Sequence, residues 1–210
     1  MNFAQYPALA ARTEKELPTR LDRLEHAALG LVTETGEIAT IVKRIKIYGK
    51  SLDSLVEKGP DAGKSFRALI AEEMGDVLWY LPIVTREFGV SDEVFGTMDS
   101  AEFLEPQEGL PAIALDKALA SVSRRLSIAA ATVANFVEDE FIAQQTQVDL
   151  GLAVGTITTS LANLAWLIGA DLRQVAADNI AKLKLRYPEK YSDVAAEARA
   201  DKGGEDARNS

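Results

Sequence analysis

Ala71-Glu-Glu-Met-Gly-Asp-Val-Leu-Trp-Tyr-Leu81 carries two acids, Glu73 and Asp76, three residues apart in an apolar run. On a helix this spacing puts both carboxylates on one face, with Cβ atoms roughly 5–6 Å apart. Upstream, Leu29-Gly-Leu-Val-Thr-Glu-Thr-Gly-Glu-Ile-Ala39 repeats the arrangement with Glu34 and Glu37. The apolar flanks make these acids border a core instead of a solvated outer stripe. Two such helices side by side bring four carboxylates to one pocket. At an effective dielectric of about 20, like charges ~4 Å apart repel by ~4 kcal/mol, so the cluster needs protons or a cation. The chain has no Cys, and neither signature contains a His. Oxygen donors alone point to a hard ion, Mg²⁺ or Mn²⁺, on Glu34, Glu37, Glu73 and Asp76.

Outward from these signatures the chain reads as helix after helix. Residues 2–12 form a short amphipathic segment with Pro7 in a first turn. Pro18-Thr19 caps a long stretch with Leu21, Leu24, Ala28, Leu31, Ile38 and Val42 at helical spacing, closed by Tyr48-Gly49. Residues 49–64, with three glycines and Pro60, read as a loop or broken helix. A second long helix is expected from Ser65 to Phe88, ending at Gly89, with Pro82 kinking it or freeing a carbonyl. Asp99 to Pro111 is the linker candidate. Residues 112–140 and 148–168 are again helical, and Asp171 caps a helix through Arg186 that Pro188 ends. The tail from Lys202 is polar and expected to fray. No hairpin signal or sustained alternation occurs, so the fold class is all-α, a helical bundle.

With 210 residues, no staple is needed for a core. The absence of Cys excludes disulfide and thiol chemistry and fits an intracellular, cytoplasmic location. Met1 to Leu17 lacks the apolar core of a signal peptide, and no run reaches the ~18 consecutive apolar residues of a membrane span. A net charge of −9 disfavours binding a nucleic-acid polymer through its backbone. It does not disfavour a small phosphorylated ligand arriving with its own metal.

The chain also aligns with itself. Gly75–Leu81, closed by Phe88-Gly89, matches Gly155–Leu161, closed by Ile168-Gly169, and at an offset of 90 Leu29–Ala39 matches Leu119–Ala129. In these registers Glu34, Glu37, Glu73 and Asp76 become Arg124, Ser127, Ala153 and Thr156. The reading is an active unit over 1–104, a degenerate second unit over 105–190 and a tail over 191–210.

A wider set of motifs runs through Phe3-Ala-Gln-Tyr6, Ala11-Arg-Thr13, His26–Glu37, Lys46-Ile-Tyr-Gly-Lys50, Glu72–Leu81 and Asn179-Ile-Ala-Lys-Leu-Lys-Leu-Arg-Tyr-Pro188. This set resembles the MazG-like all-α nucleoside triphosphate pyrophosphohydrolases, a superfamily that includes dimeric dUTPases. The resemblance implies a bundle of that type arranged as an intrachain pseudo-dimer, with room for a homodimer. It implies Mg²⁺ on the four acids and hydrolysis of a nucleoside triphosphate, a dNTP or non-canonical NTP, to monophosphate and pyrophosphate. A dUTPase- or dCTPase-like enzyme and a catalytically silent nucleotide binder are the alternatives. Two features depart from the family. Thr33 stands where a further acid often precedes the first motif, and the closing Asn-Lys-Arg-Tyr run arrives only after the degenerate unit.

Within this resemblance Glu37 is the first candidate for general base, with Glu34 beside it. Lys46 and Lys50 are candidates for phosphate oxygens. Asn179, Lys182 and Arg186 share a helical face and can reach phosphate or base, with Tyr187 next to them; basic residues late in a helix also suit its dipole. Trp79 and Tyr80 follow Asp76, and either ring can stack on a nucleobase, although the core is the readier place for Trp79. Glu72 reads as a supporting or exposed acid and the single His26 as structural. Arg124 and Arg125 are candidates for neutralising phosphate from the opposite side.

Overall fold

A computed structural model describes residues 2–91, 93–98, 112–138 and 144–198. The chain is all-α, and among the described residues the only β pairing is an isolated bridge between Leu55 and Ser65. After a 3₁₀ turn at Phe3–Gln5 come α1 (Tyr6–Ala11), α2 (Arg20–Tyr48), α3 (Phe66–Phe88), α4 (Glu93–Thr97), α5 (Ala112–Asn135), α6 (Gln144–Ile168), α7 (Leu172–Arg186) and α8 (Asp193–Ala198). The short α4 and α8 have no counterpart in the periodicity reading. The linker over 99–111, the proposed boundary at 104/105 and the tail from 202 lie outside the described residues.

Local chemistry sets the helix ends. Thr19 and Asp22 form a reciprocal capping box at the start of α2: the Asp22 amide donates to Thr19 Oγ1 at 3.0 Å, and the Thr19 amide donates to Asp22 Oδ2 at 3.1 Å. Ser65 Oγ accepts the Ala68 amide at 3.1 Å and so caps α3, while Asp171 accepts from Arg173 and so caps α7. Gly49 and Gly89 stop α2 and α3 in the left-handed region, at φ 67° and 72°, where a side chain would be strained. The α3 helix continues through buried Pro82, whose missing N–H leaves the Leu78 carbonyl without its helical partner.

Packing follows the apolar stripes. Buried Leu24, Leu31, Ile38 and Val42 face inward along α2, which packs against both α3 and α5. The α5 helix in turn packs along α6, and α7 lies across α3. Each fully buried aliphatic side chain contributes about 1.5–3 kcal/mol, so this bundle does not depend on any single contact. The segment Val148–Ile168 of α6 is long and apolar enough to cross a membrane, but 61 % of it is buried inside the protein.

Burial also bears on the internal alignments. In the register that adds 80, buried Met74, Val77, Leu78 and Leu81 of α3 fall on buried Val154, Ile157, Thr158 and Leu161 of α6. Gly89 and Gly169 both have positive φ. The register that adds 90 fails for α2 and α5, because Leu29 is 67 % exposed and its counterpart Leu119 is fully buried. Adding 91 places buried Ala28, Leu31, Thr35, Ile38 and Val42 on buried Leu119, Val122, Leu126, Ala129 and Val133. Adding 88 places buried Leu31, Thr35, Ile38, Ile41, Val42 and Ile45 on buried Leu119, Ser123, Leu126, Ala129, Ala130 and Val133. Burial thus rejects 90 and is met equally by these two. A shift of one residue turns a helix by about 100°, so composition tolerates the error and packing does not.

Candidate metal centre

Glu34 of α2 and Glu73 and Asp76 of α3 each place a carboxylate oxygen within 4.8 Å of the other two. All three are partly buried. They stand in a cavity of about 370 Å³ together with Glu37, Glu72, His26, Trp79 and Arg186. The two helices bring these acids together because each presents an apolar stripe to the core and its acids at the stripe's edge. Glu37 lines the same cavity but is exposed and lies outside the triad. The predicted quartet is thus three clustered acids with a fourth on the rim.

Crowding shows in the acidities. Burial, and then the charges of Glu37, Asp76 and Glu34, push the Glu73 carboxyl up to about 9. Burial also raises Glu34, with Asp76 and Glu37 adding to the effect, while hydrogen bonds with Glu73 and Thr33 act against it. A proton shared between Glu34 and Glu73 is one way the triad relieves its own repulsion. A raised acid binds a proton in the folded state that the unfolded chain releases near 4.5. Its contribution is therefore complete below that value and is lost as pH rises toward 9. With a chelator present, stability should fall between pH 7 and 9 by at most about 1.4 kcal/mol per unit, less where water in the pocket screens the acids. Burial lowers the His26 pKa below 6.5, so this residue stays neutral across that window. Urea titrations at pH 7, 8 and 9 check the slope, and Glu73→Gln should flatten it.

Asp76 is held from α7. The Lys182 ammonium donates to Oδ1 and Oδ2 at 2.6 and 2.7 Å, and Asn179 Nδ2 donates to Oδ1 at 2.7 Å. Buried Tyr6 donates its hydroxyl to Asn179 Oδ1 at 3.1 Å, so α1 braces the same network. Gly75 makes the approach possible: a Cβ there would lie 2.9 Å from Asn179 Cβ. Asn179 and Lys182 therefore meet Asp76 and the groove behind it, while Arg186 and Tyr187 line the acidic cavity.

Rings form the other wall. Trp79 donates its indole N–H to Thr13 Oγ1 at 3.0 Å and to the Ala10 carbonyl at 3.3 Å. Its polar edge is thus satisfied by the N-terminal segment. Trp79, Tyr80 and His26 pack edge to face, with centroids 4.8–5.9 Å apart. His26, read from the sequence as structural, packs against both rings and also lines the cavity. Thr13 and Tyr191 also line the cavity and Tyr6 braces Asn179, and the sequence alone gave none of the three a role. Tyr6 and Thr13 stand in the short N-terminal motifs, which mark positions without naming contacts, and Tyr191 lies outside every motif quoted.

Two expected phosphate ligands sit elsewhere. Lys46 pairs with Asp116 of α5 at 2.7 Å, and Lys50 lies near Glu57 at 3.6 Å. Neither lines the acidic cavity. At 1.5 Å rise per residue, Lys46 is about 18 Å along α2 from Glu34. Lys46→Ala should leave any activity of the acidic pocket within about twofold and cost roughly 1 kcal/mol or less, because the pair is part-exposed. Denaturation and turnover of the same preparation check both. Arg125 lines a separate groove between α5 and α6 with Ala153 and Thr156, so it does not face the acids.

A larger cavity of about 570 Å³ lies between residues 11–23 and 190–193. Its charges are largely paired, as in Lys15–Asp193 at 2.7 Å and Arg23–Glu87 at 2.9 Å, and among the described residues no three acids lining it come close enough to share a cation. Compared with family models, with curated proteins and with solved structures, the chain matches none.

Proposed function

We propose that the protein is a Mg²⁺- or Mn²⁺-dependent nucleoside triphosphate pyrophosphohydrolase, built as a helical bundle of the MazG-like type. The observation that carries this reading is the Glu34–Glu73–Asp76 triad in a cavity walled by Trp79, Tyr80 and Arg186. The donor set fits a hard divalent cation, being three carboxylate oxygens within 4.8 Å with no sulfur or imidazole among them. When bound, such an ion offsets charge on phosphate oxygens and makes phosphorus easier to attack.

The chain's own residues take the remaining tasks. Arg186, at the cavity wall, meets phosphate oxygens with a planar fork of donors. Trp79 has its N–H already bonded, so it offers a nucleobase its ring and no donor. Glu37, exposed on the rim and outside the triad, accepts a proton from the attacking water. Asp76 is kept in place by Asn179 and Lys182.

Pyrophosphate release from a panel of canonical and modified nucleoside triphosphates, with Mg²⁺ and with chelator, tests the reading. Metal-dependent release from at least one of them is expected. Triphosphates that bind yet stay intact through long incubation would make the protein a silent nucleotide binder.

A further inference from the structure

Asp76 differs from the other two triad acids in already holding a cation. Lys182 Nζ lies 2.6 Å from Oδ1 and 2.7 Å from Oδ2, so whichever oxygen Asp76 offers to the triad already accepts the ammonium. Glu34 and Glu73 instead stand carboxylate beside carboxylate, with the Thr33 hydroxyl donating to Glu34 Oε1 at 3.3 Å. The ion pair is sheltered, with side-chain exposures of 17 % for Lys182 and 28 % for Asp76. Water therefore screens it less than a surface pair. Lys182 does not line the acidic cavity. It lines a neighbouring groove of about 460 Å³ between α3 and α7, shared with Lys64, Glu72 and Asp178. The ammonium thus stands behind Asp76, with open space and two other acids on its own side.

A divalent ion in the triad and the Lys182 ammonium would be like charges on one carboxylate, a few ångströms apart. We propose that Lys182 is a tethered counter-cation of the centre, holding Asp76 while the ion is away and competing with the ion for it. Ion binding requires Lys182 to release at least one Asp76 oxygen and swing toward the groove. There Asp178 can receive it, as can Glu72, which is paired with Lys64 at 2.6 Å. Lys182 is then a positioning residue that holds down the affinity for free metal, and its removal tightens metal binding. This rests on the metal reading of the triad given above.

The test is Mn²⁺ binding by the full chain, followed through loss of the free-ion EPR signal, for wild type, Lys182→Met and Lys182→Arg. Lys182→Met should bind Mn²⁺ at least about tenfold tighter, and Lys182→Arg, which keeps the charge, should stay close to wild type. Equal or weaker binding by Lys182→Met, with wild type binding normally, overturns the inference and leaves the metal centre standing. No Mn²⁺ bound by any of the three removes both. Should Lys182→Met fail to fold, trace acetylation of wild type with peptide mapping gives a second readout. Saturating Mg²⁺ should speed labelling of Lys182 several-fold while Lys46, paired with Asp116, serves as the internal reference. An unchanged Lys182 rate at a metal-saturated centre overturns the inference.

Discussion

Asp76→Asn should abolish the rise in Tm that Mg²⁺ gives the wild-type protein and lower pyrophosphate release by about 10²–10³-fold or more. The substitution keeps size and hydrogen bonding to Asn179 but removes a charged oxygen from a three-acid cluster. Two carboxylates make a poorer home for a hard cation than three. The substitution also strands the partly buried Lys182 ammonium, so the metal-free variant should lose about 1–3 kcal/mol on its own account. The informative quantity is therefore the difference between unfolding with Mg²⁺ and unfolding with chelator, taken within each protein. Wild type at a hundredfold excess of ion over Kd should gain about 2.7 kcal/mol, and the variant little. An Asp76→Asn protein with undiminished turnover and an intact Mg²⁺ response would remove the metal centre and the proposed chemistry with it.

Two glycines of α2 should respond to substitution with opposite signs. At Gly30 an added Cβ would lie 2.1–2.5 Å from three atoms of the Tyr80 ring. Gly30→Val has to push that ring out of its packing against Trp79 and His26 and into the acidic cavity. Overpacking of this kind costs about 1–3 kcal/mol, and valine recovers little of it because its own helix propensity is modest. The Tm should fall by roughly 3–10 °C, and any nucleotide affinity should fall with it as the ring wall is displaced. At Gly36 nothing lies within 4 Å of an added Cβ, so Gly36→Ala should stabilise α2 by up to about 1 kcal/mol. Thermal unfolding of the two variants in parallel checks the contrast. A neutral Gly30→Val would mean that Tyr80 is not held where the cavity geometry puts it.

Much of this protein was legible in the chain alone. Thr19, Gly49, Ser65, Gly89 and Asp171 mark helix ends by chemistry that acts within a few residues, and the helices begin and end there. The spacing of Glu34 and Glu37, and of Glu73 and Asp76, put each pair on one helical face beside the core. Periodicity was enough for that, because a helix's own geometry relates i to i+3. The short α4 and α8 were missed because five or six residues carry too little periodicity to stand out from loop.

Only the packed bundle decided which side chains meet. Lys46 and Lys182 look alike in sequence, each a lysine on a basic helical stretch, yet one pairs with Asp116 and the other with Asp76. The difference lies in which helix abuts each lysine and at what height. That depends on Gly75, whose missing side chain lets α7 settle against α3, and on the stripe that seats α2 against α5. The place of Glu37 outside the triad and the failure of the register that adds 90 have the same origin. A rotation of one residue about a helix axis changes no local propensity. It exchanges buried for exposed positions along the whole contact, and the burial of apolar surface between helices is what selects the register.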